Sequence, residues 1–366
     1  MIVIVRLLAV GAMLAALWSA PAAAQGTAVG VNVINPYVLS VADQDAMLAS
    51  IHAAGVRVIR ASITLDAKGV DFAERAWQHG LSIEWLIYHF GGYDPFGQKP
   101  LSAADPQQFR ATFAPILQAI EAKGITLAAF ELGNEINLSG TNPEFRPPHP
   151  NARQLSLDDL DHDPEGQQVA KGFLQYLKVM AVLKEVRDHA KLNQHTPIST
   201  AGLGTYDQDD GPLPNWAKGD VVGINTTLRF MRAHGLDTLV DAYGIHVYPD
   251  NHEGAAMTAA RKARLAKYDL AECRPPGSTA GKPCWVTEWG LTNGATSCPL
   301  DDASRARVTR EMMGDFAPYA KAGSLAGLVY FAWTGTPGSP PLSSALWRCG
   351  ALSESGQAAL DTALLR

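Results

Sequence analysis

The chain is predicted to fold as a (β/α)8 barrel, on three observations. Strand-like runs rich in β-branched residues alternate with amphipathic stretches, and eight such runs can be counted. At 366 residues the chain has the length of one such barrel. Several segments that follow strands are long, whereas the returns from helix to strand are short, as in a barrel that carries its working surface on one rim.

The strands are expected at residues 28–34, 56–63, 81–88, 126–132, 197–201, 242–248, 284–288 and 324–333. Ser40, with Asp43 three residues on, reads as a capping box. Asp105-Pro106 and Asp163-Pro164 each place a capping carboxylate before a first-turn proline. Gly55, Gly80 and Gly124 stop three of the helices, and a last helix is expected over 353–365. The long segments 138–163, 202–223 and 334–352 follow strands four, five and eight. No G-x-G-x-x-G follows the first strand, which argues against a dinucleotide-binding open sheet. No linker or internal repeat divides residues 25–366, which read as one domain.

The first 24 residues differ from the rest: Arg6, an apolar run over 7–18, then Ala22-Ala23-Ala24 ahead of Gln25. This reads as a secretory signal peptide, its run shorter than the roughly 20 residues that span a bilayer. The mature chain is expected to be secreted or periplasmic, soluble, monomeric and not attached to a membrane. Export makes disulfides the expected state of Cys273, Cys284, Cys298 and Cys349. Three pairings are possible; Cys273 with Cys284 and Cys298 with Cys349 is preferred, because each would tie a loop beside a strand.

Composition narrows the function. With 47% hydrophobic residues the chain can bury a full core, and a formal charge of −6 offers no basic field to a nucleic acid. The acidic stretches 158–165 and 207–210 have a superficial look of calcium loops, but Pro164 stands where an EF-hand starting at Asp159 needs glycine. No C-x-x-C or His/Cys spacing favours zinc. No metal and no cofactor is expected.

Two motifs carry chemistry. In F-E-L-G-N-E-I-N, residues 130–137, Asn134 and Glu135 end strand four. Ideal pleating would point them to opposite faces, so Gly133 is expected to kink the chain and let both reach the mouth. In C-W-V-T-E-W-G, residues 284–290, alternation is expected to send Val286 and Glu288 to one face, with Glu288 last before the loop. Two carboxylates across one barrel mouth are what displacement at a sugar's anomeric carbon requires.

These motifs resemble those of the clan A glycoside hydrolases, retaining enzymes on a (β/α)8 barrel, and especially glycoside hydrolase family 5. The resemblance covers essentially the whole mature chain. Ile136 stands where family 5 usually has proline, and Trp289 where it usually has phenylalanine, so family 39 and other clan members stay open. The resemblance implies Glu135 as acid/base and Glu288 as nucleophile. It implies supporting roles for Arg60 on strand two, His89 closing strand three, Asn134, His246 and Tyr248 on strand six, and Trp333 as an aromatic platform ending strand eight. The implied substrate is a β-linked glucan, mannan, xylan or bacterial exopolysaccharide. The alternatives are a transglycosylase or a non-catalytic carbohydrate-binding barrel.

Elementary chemistry agrees residue by residue. Arg60 would keep Glu288 ionised, Tyr248 would hydrogen-bond and orient it, and Asn134 would offer an amide to a sugar 2-hydroxyl. Among the other aromatics, Trp85 and Trp77 are expected in packing, and Trp289, Trp216, Tyr93, Phe145 and Trp347 on the rim.

Overall fold

The computed structural model describes residues 26–366 except 148, 150, 205–212, 214–218, 250 and 337–341. The expected signal peptide lies outside the described residues, as do Trp216 and the acidic stretch 207–210.

Eight parallel strands form the barrel: β1 (Ala28–Val33), β2 (Val58–Ser62), β3 (Ser82–Ile87), β4 (Ala129–Leu132), β5 (Ile198–Ser199), β6 (Tyr243–Val247), β7 (Cys284–Trp289) and β8 (Leu325–Tyr330). They pair in the order β5-β4-β3-β2-β1-β8-β7-β6. The barrel closes between β5 and β6 through single bridges, Ser199 to Ala242 and Leu203 to Ile245. Strand five is the shortest in hydrogen-bonding terms, which is why closure there rests on isolated bridges rather than a continuous ladder.

The helices start where the sequence marks them. Ser40 caps α1 (Val41–Ala53) by accepting from the Asp43 amide, and Asp66 caps α2 (Ala67–Gln78). Asp105 caps α3 (Pro106–Ala122) and Asp163 caps α4 (Pro164–Asp188), each ahead of a first-turn proline. The outer ring continues with α5 (Ile224–Ala233), α6 (Ala255–Arg264), α7 (Ala303–Lys321) and α8 (Glu354–Leu360). Gly55, Gly80 and Gly124 take φ of +88°, +72° and +74° just past α1, α2 and α3, the left-handed conformation that ends a helix. The acidic run around 158–165 serves helix starts: Ser156 and Asp159 form a reciprocal capping box, and Asp163 caps α4 while pairing with Arg153.

The main core lies between the outer faces of the strands and the helices. On its β3–β4 side Trp85 packs on Phe113 of α3 at 5.2 Å and Phe113 on Phe130 at 5.8 Å. A smaller cluster of Ala129, Ala242, Trp285 and Val329 plugs the barrel interior. Trp285 fills it so closely that a Cβ on Gly327 would stand 2.2 Å from its ring. Trp285 thus faces inward and Val286 outward, opposite to what a shared face for Val286 and Glu288 requires.

The long rim segments are braced. Gln154–Leu155 pairs in parallel with Val221–Val222, and buried Asp220 accepts from the Arg153 amide at 2.8 Å while its carboxylate meets Arg146 and His149. The segment after β8 carries a small antiparallel ribbon, Trp347–Arg348 with Ala351–Leu352. Both disulfides take the preferred pairing, Cys273–Cys284 and Cys298–Cys349, the second stapling this ribbon to the loop after β7. Among the described residues no helix is long and apolar enough to cross a membrane. Mass spectrometry of the exported, non-reduced protein is expected to find no alkylatable thiol; four would show that the cysteines stay reduced.

Candidate active site

The site is built on one guanidinium. Arg60 points inward from β2 while its neighbours Ile59 and Ala61 pack in the outer core. It is 2% exposed, yet every one of its five donors is used. Nε and Nη2 reach Glu131 of β4 at 2.5 and 3.0 Å, and Nη1 reaches Glu288 at 2.6 Å. The remaining donors go to Asn32 of β1 at 2.8 Å and Asn134 at 2.7 Å. Burial opposes its charge, but Glu131 and Glu288 outweigh that cost and hold the guanidinium protonated.

Glu288 reaches this guanidinium only because β7 breaks its alternation. Against β6, Ile245 pairs with Val286 and His246 with Glu288, so one residue of β7, Thr287, is passed over. The bulge turns Glu288 inward; regular pleating would have pointed it, with Val286, at the helices. This corrects the expected shared face. Tyr248 then donates its phenol to the other Glu288 oxygen, Oε2. Burial pushes the Glu288 carboxyl up, but His246, Arg60 and Tyr248 together hold it below its ordinary value.

Glu135 is placed by the kink expected at Gly133, which has φ +81°, and by its own φ of +47°. A glutamate in the left-handed region is strained, and here three backbone contacts fix it. Its amide donates to the Gly202 carbonyl at 2.8 Å, and its carbonyl accepts from the Leu138 amide at 2.9 Å and the Thr141 hydroxyl at 2.5 Å. Gly204 lets the side chain through, since a Cβ there would lie 2.9 Å from Glu135 Oε1. The carboxylate meets His246 Nδ1 at 2.9 Å, and His246 Nε2 lies 3.7 Å from Glu288 Oε1. One buried imidazole therefore stands between the two glutamates. Burial disfavours its charge, but Glu288 and Glu135 prevail and raise its pKa. Gly202 makes room for the ring: a Cβ there would be 2.2 Å from Nε2.

A cleft of about 290 Å³ opens above this floor, walled by Asn32, Asn35, Tyr88, Asn134, Glu135, Glu288 and Phe331. Two larger grooves, of about 550 and 770 Å³, lie on the outer helices, between α6 and α7 and between α3 and α4. They hold none of these side chains.

Of the residues singled out in the sequence, Arg60, Asn134, Glu135, His246, Glu288 and Tyr248 come together. His89 and Trp333 do not. Along β3 it is Glu84, Leu86 and then Tyr88 that face inward, so His89 has the wrong parity; its side chain is 52% exposed and turns to Asp94 at 3.4 Å. Trp333 fails for another reason. Strand β8 ends at Tyr330, three residues earlier than expected, and the chain bends, leaving Trp333 1% exposed, with its Nε1 on Ser50 and its ring stacked on Trp347. Phe331 takes the wall position instead, edge-on to Tyr248 at 6.3 Å. Trp289, Tyr93 and Phe145, expected on the rim, are buried; Trp289 packs on Phe316 and Tyr330.

Sequence reasoning missed Asn32, Glu84, Tyr88, Glu131 and Phe331. A signal existed for the first and for the two acids: each is a lone polar residue at an alternating position of an apolar strand, V-N-V, I-E-W and F-E-L. Burial pushes the Tyr88 phenol up, and Glu135 and Glu288 add to it, bringing it to about 12. Glu84, beside Arg60 in register, is wholly buried, with the Trp285 indole as its polar neighbour and no well-formed hydrogen bond to either oxygen among the described residues. Burial and the Glu131 charge raise its pKa well above the ordinary value, which favours the protonated acid.

No family model matches the chain, and no curated protein sequence is significantly similar to it. Solved structures do share its fold. A fungal β-1,4-galactanase superposes with a TM-score of 0.55 at 16% identity, over 92% of this chain and 100% of that one. A GH5_18 protein from Bifidobacterium longum subsp. infantis gives 0.56 at 12% identity, over 91% and 77%. An exo-β-1,4-mannosidase from an Opitutaceae bacterium, strain TAV5, gives 0.54 at 14% identity, over 92% of this chain but 59% of that one. The chain has the (β/α)8 barrel fold of these glycoside hydrolases.

The neutral state of Glu84 has a consequence for stability. Above about pH 4.5 the unfolded chain releases this proton and the native state keeps it, so ionisation of the unfolded chain lowers stability as pH rises. Glu84→Gln copies the protonated acid and removes that loss. The melting temperature of the variant relative to the wild type is expected to climb as pH rises above the ordinary carboxyl range; a difference that falls there would mean that the Glu84 pKa is lowered, not raised. Glu131→Gln, by contrast, strips a partner from a buried cation and is expected to cost about 3–5 kcal/mol in denaturant unfolding.

Proposed function

We propose that the protein is a retaining glycoside hydrolase that cleaves β-glycosidic bonds of a polysaccharide or oligosaccharide by double displacement. One observation carries this reading: Glu135 and Glu288, from the ends of β4 and β7, meet the same imidazole at the barrel mouth, and only Glu288 is anchored on Arg60. The asymmetry fits two roles. Glu288 is a fixed carboxylate with 11% of its side chain exposed, suited to attack. Glu135 keeps 27%, suited to exchanging a proton with a leaving group and then with water.

In the first step a Glu288 oxygen bonds to the anomeric carbon as the glycosidic bond breaks, and Glu135 gives its proton to the departing oxygen. In the second, water attacks the same carbon, Glu135 takes its proton, and the bond to Glu288 breaks. Two inversions give net retention. Asn134 has its Oδ1 committed to Arg60, which leaves Nδ2 as the group to meet a sugar hydroxyl. Phe331, not Trp333, offers the apolar face for the sugar ring. An exported location, secreted or periplasmic, belongs to the same reading and is supported by the two disulfides.

Four measurements test it. Glu288→Gln is expected to abolish turnover of every glycoside. Glu135→Gln is expected to lose about 10²- to 10⁴-fold on poor leaving groups and far less on an activated aryl glycoside; equal losses on both would remove Glu135 as the acid. Proton NMR of the first product, taken before mutarotation, is expected to show retained configuration, and an inverted product would defeat the mechanism. The acid limb of kcat/KM is expected below the ordinary carboxyl range, because Glu288 must be ionised and its pKa is lowered; Tyr248→Phe moves that limb to higher pH.

A further inference from the structure

The loop after β3 spends its internal hydrogen bonds on holding a phenylalanine in water. Asp94 and Lys99 close a small hairpin, amide to carbonyl in both directions at 3.2 and 2.8 Å. Inside it the Asp94 carboxylate accepts from the Phe96 and Gly97 amides at 3.1 and 3.0 Å. Glycine at the tip leaves room for this carboxylate, since a Cβ on Gly97 would lie 2.4 Å from Asp94 Oδ2. The braced tip presents Phe96 with 72% of its surface exposed, more than any other large apolar residue among those described. Such a ring would be better buried, and the neighbouring rings of Tyr88 and His89 leave most of it exposed.

The ring is not isolated. Phe96 lies nearly parallel to Tyr88, at 7° and 5.4 Å between centroids, and Tyr88 lines the cleft beside Asn134 and Glu135. The two rings form a step leading from the reactive centre out onto the rim. A polymer threading the cleft would pass Tyr88 first and Phe96 next. The flat C–H face of a pyranose is the ligand surface that a rigid, exposed, uncharged ring fits. The occupant is therefore a sugar ring rather than an ion or an acidic peptide.

We propose that Phe96 is a stacking platform for a sugar unit of the substrate next to the one held at Glu288, and that it sets a preference for longer chains. The inference rests on the glycosidase reading and deepens it. Its test compares wild type, Phe96→Ala and Phe96→Trp on β-linked oligosaccharides of increasing length and on an aryl β-monoglycoside. The ratio of kcat/KM for long oligosaccharide over monoglycoside is expected to fall about tenfold in Phe96→Ala, through KM, and to recover in Phe96→Trp. A ratio unchanged by Phe96→Ala overturns the platform.

A binding arm separates this from failure of the parent reading. Retardation by immobilised β-glucan, β-mannan, xylan and β-galactan is compared between Glu288→Gln and Glu288→Gln/Phe96→Ala. If wild type cleaves no glycoside but retardation still depends on Phe96, the glycosidase reading falls and the platform stands. If retardation is absent, or indifferent to Phe96, the platform falls.

Discussion

Everything at the barrel mouth depends on how one buried cation is satisfied. Arg60 sits where three glutamates converge, and its planar fork fixes the direction of each bond it makes. The five bonds tie β2 to β1 through Asn32, to β4 through Glu131 and Asn134, and to β7 through Glu288. Charge balance then sorts the acids. Glu131 and Glu288 already over-neutralise Arg60, so a third carboxylate in the same buried interior meets more repulsion than attraction and the Glu84 pKa is raised. The surplus negative charge is met from the other side by His246, which shares both Glu288 and Glu135.

The backbone pays for this arrangement in departures from regular structure, and each has a visible beneficiary. Skipping Thr287 in the β6–β7 ladder turns Glu288 inward. The left-handed turns at Gly133 and Glu135 bring two consecutive side chains, Asn134 and Glu135, to the same mouth. Gly202 and Gly204, following β5, have their Cβ positions filled by His246 and Glu135. Regular strands alone would scatter these groups over both faces of the sheet, so the site is a product of the irregularities as much as of the barrel.

This explains what could and could not be read from the sequence. The eight strands and the helix starts at Ser40, Asp105 and Asp163 follow from local chemistry that tertiary contacts do not override, while the cysteine pairing, one preference among three, is the one the structure holds. Six of the eight singled-out side chains converge because they lie at or near strand ends. The failures arose where a strand's exact extent or phase mattered. His89 is one residue out of phase with Tyr88, and Trp333 lies beyond the point where β8 stops. Expecting Glu288 on the face of Val286 happened to deliver it to the mouth only because a bulge, invisible in the residue pattern, reversed the phase. Glu84 and Glu131 were legible as polar residues in apolar strands, but their roles are not local: they depend on four strands meeting around Arg60.

Phase also separates strength from function inside the barrel. Below Arg60 the interior is closed by Trp285, Ala129, Ala242 and Val329, which exclude water and keep the local dielectric low. In that setting the Arg60–Glu288 contact is strong and a bare carboxylate costly, so the Glu288 pKa is lowered by its partners while that of Glu84 is raised. Above Arg60 the cleft is open, and Glu135 reaches water. His246 stands between the solvent-facing Glu135 and the buried ion pair, so the two carboxylates are linked through one imidazole. The two glutamates thus differ in depth: the deeper one is held by the cation below it, and the shallower one opens to the cleft, which is the asymmetry on which the proposed roles rest.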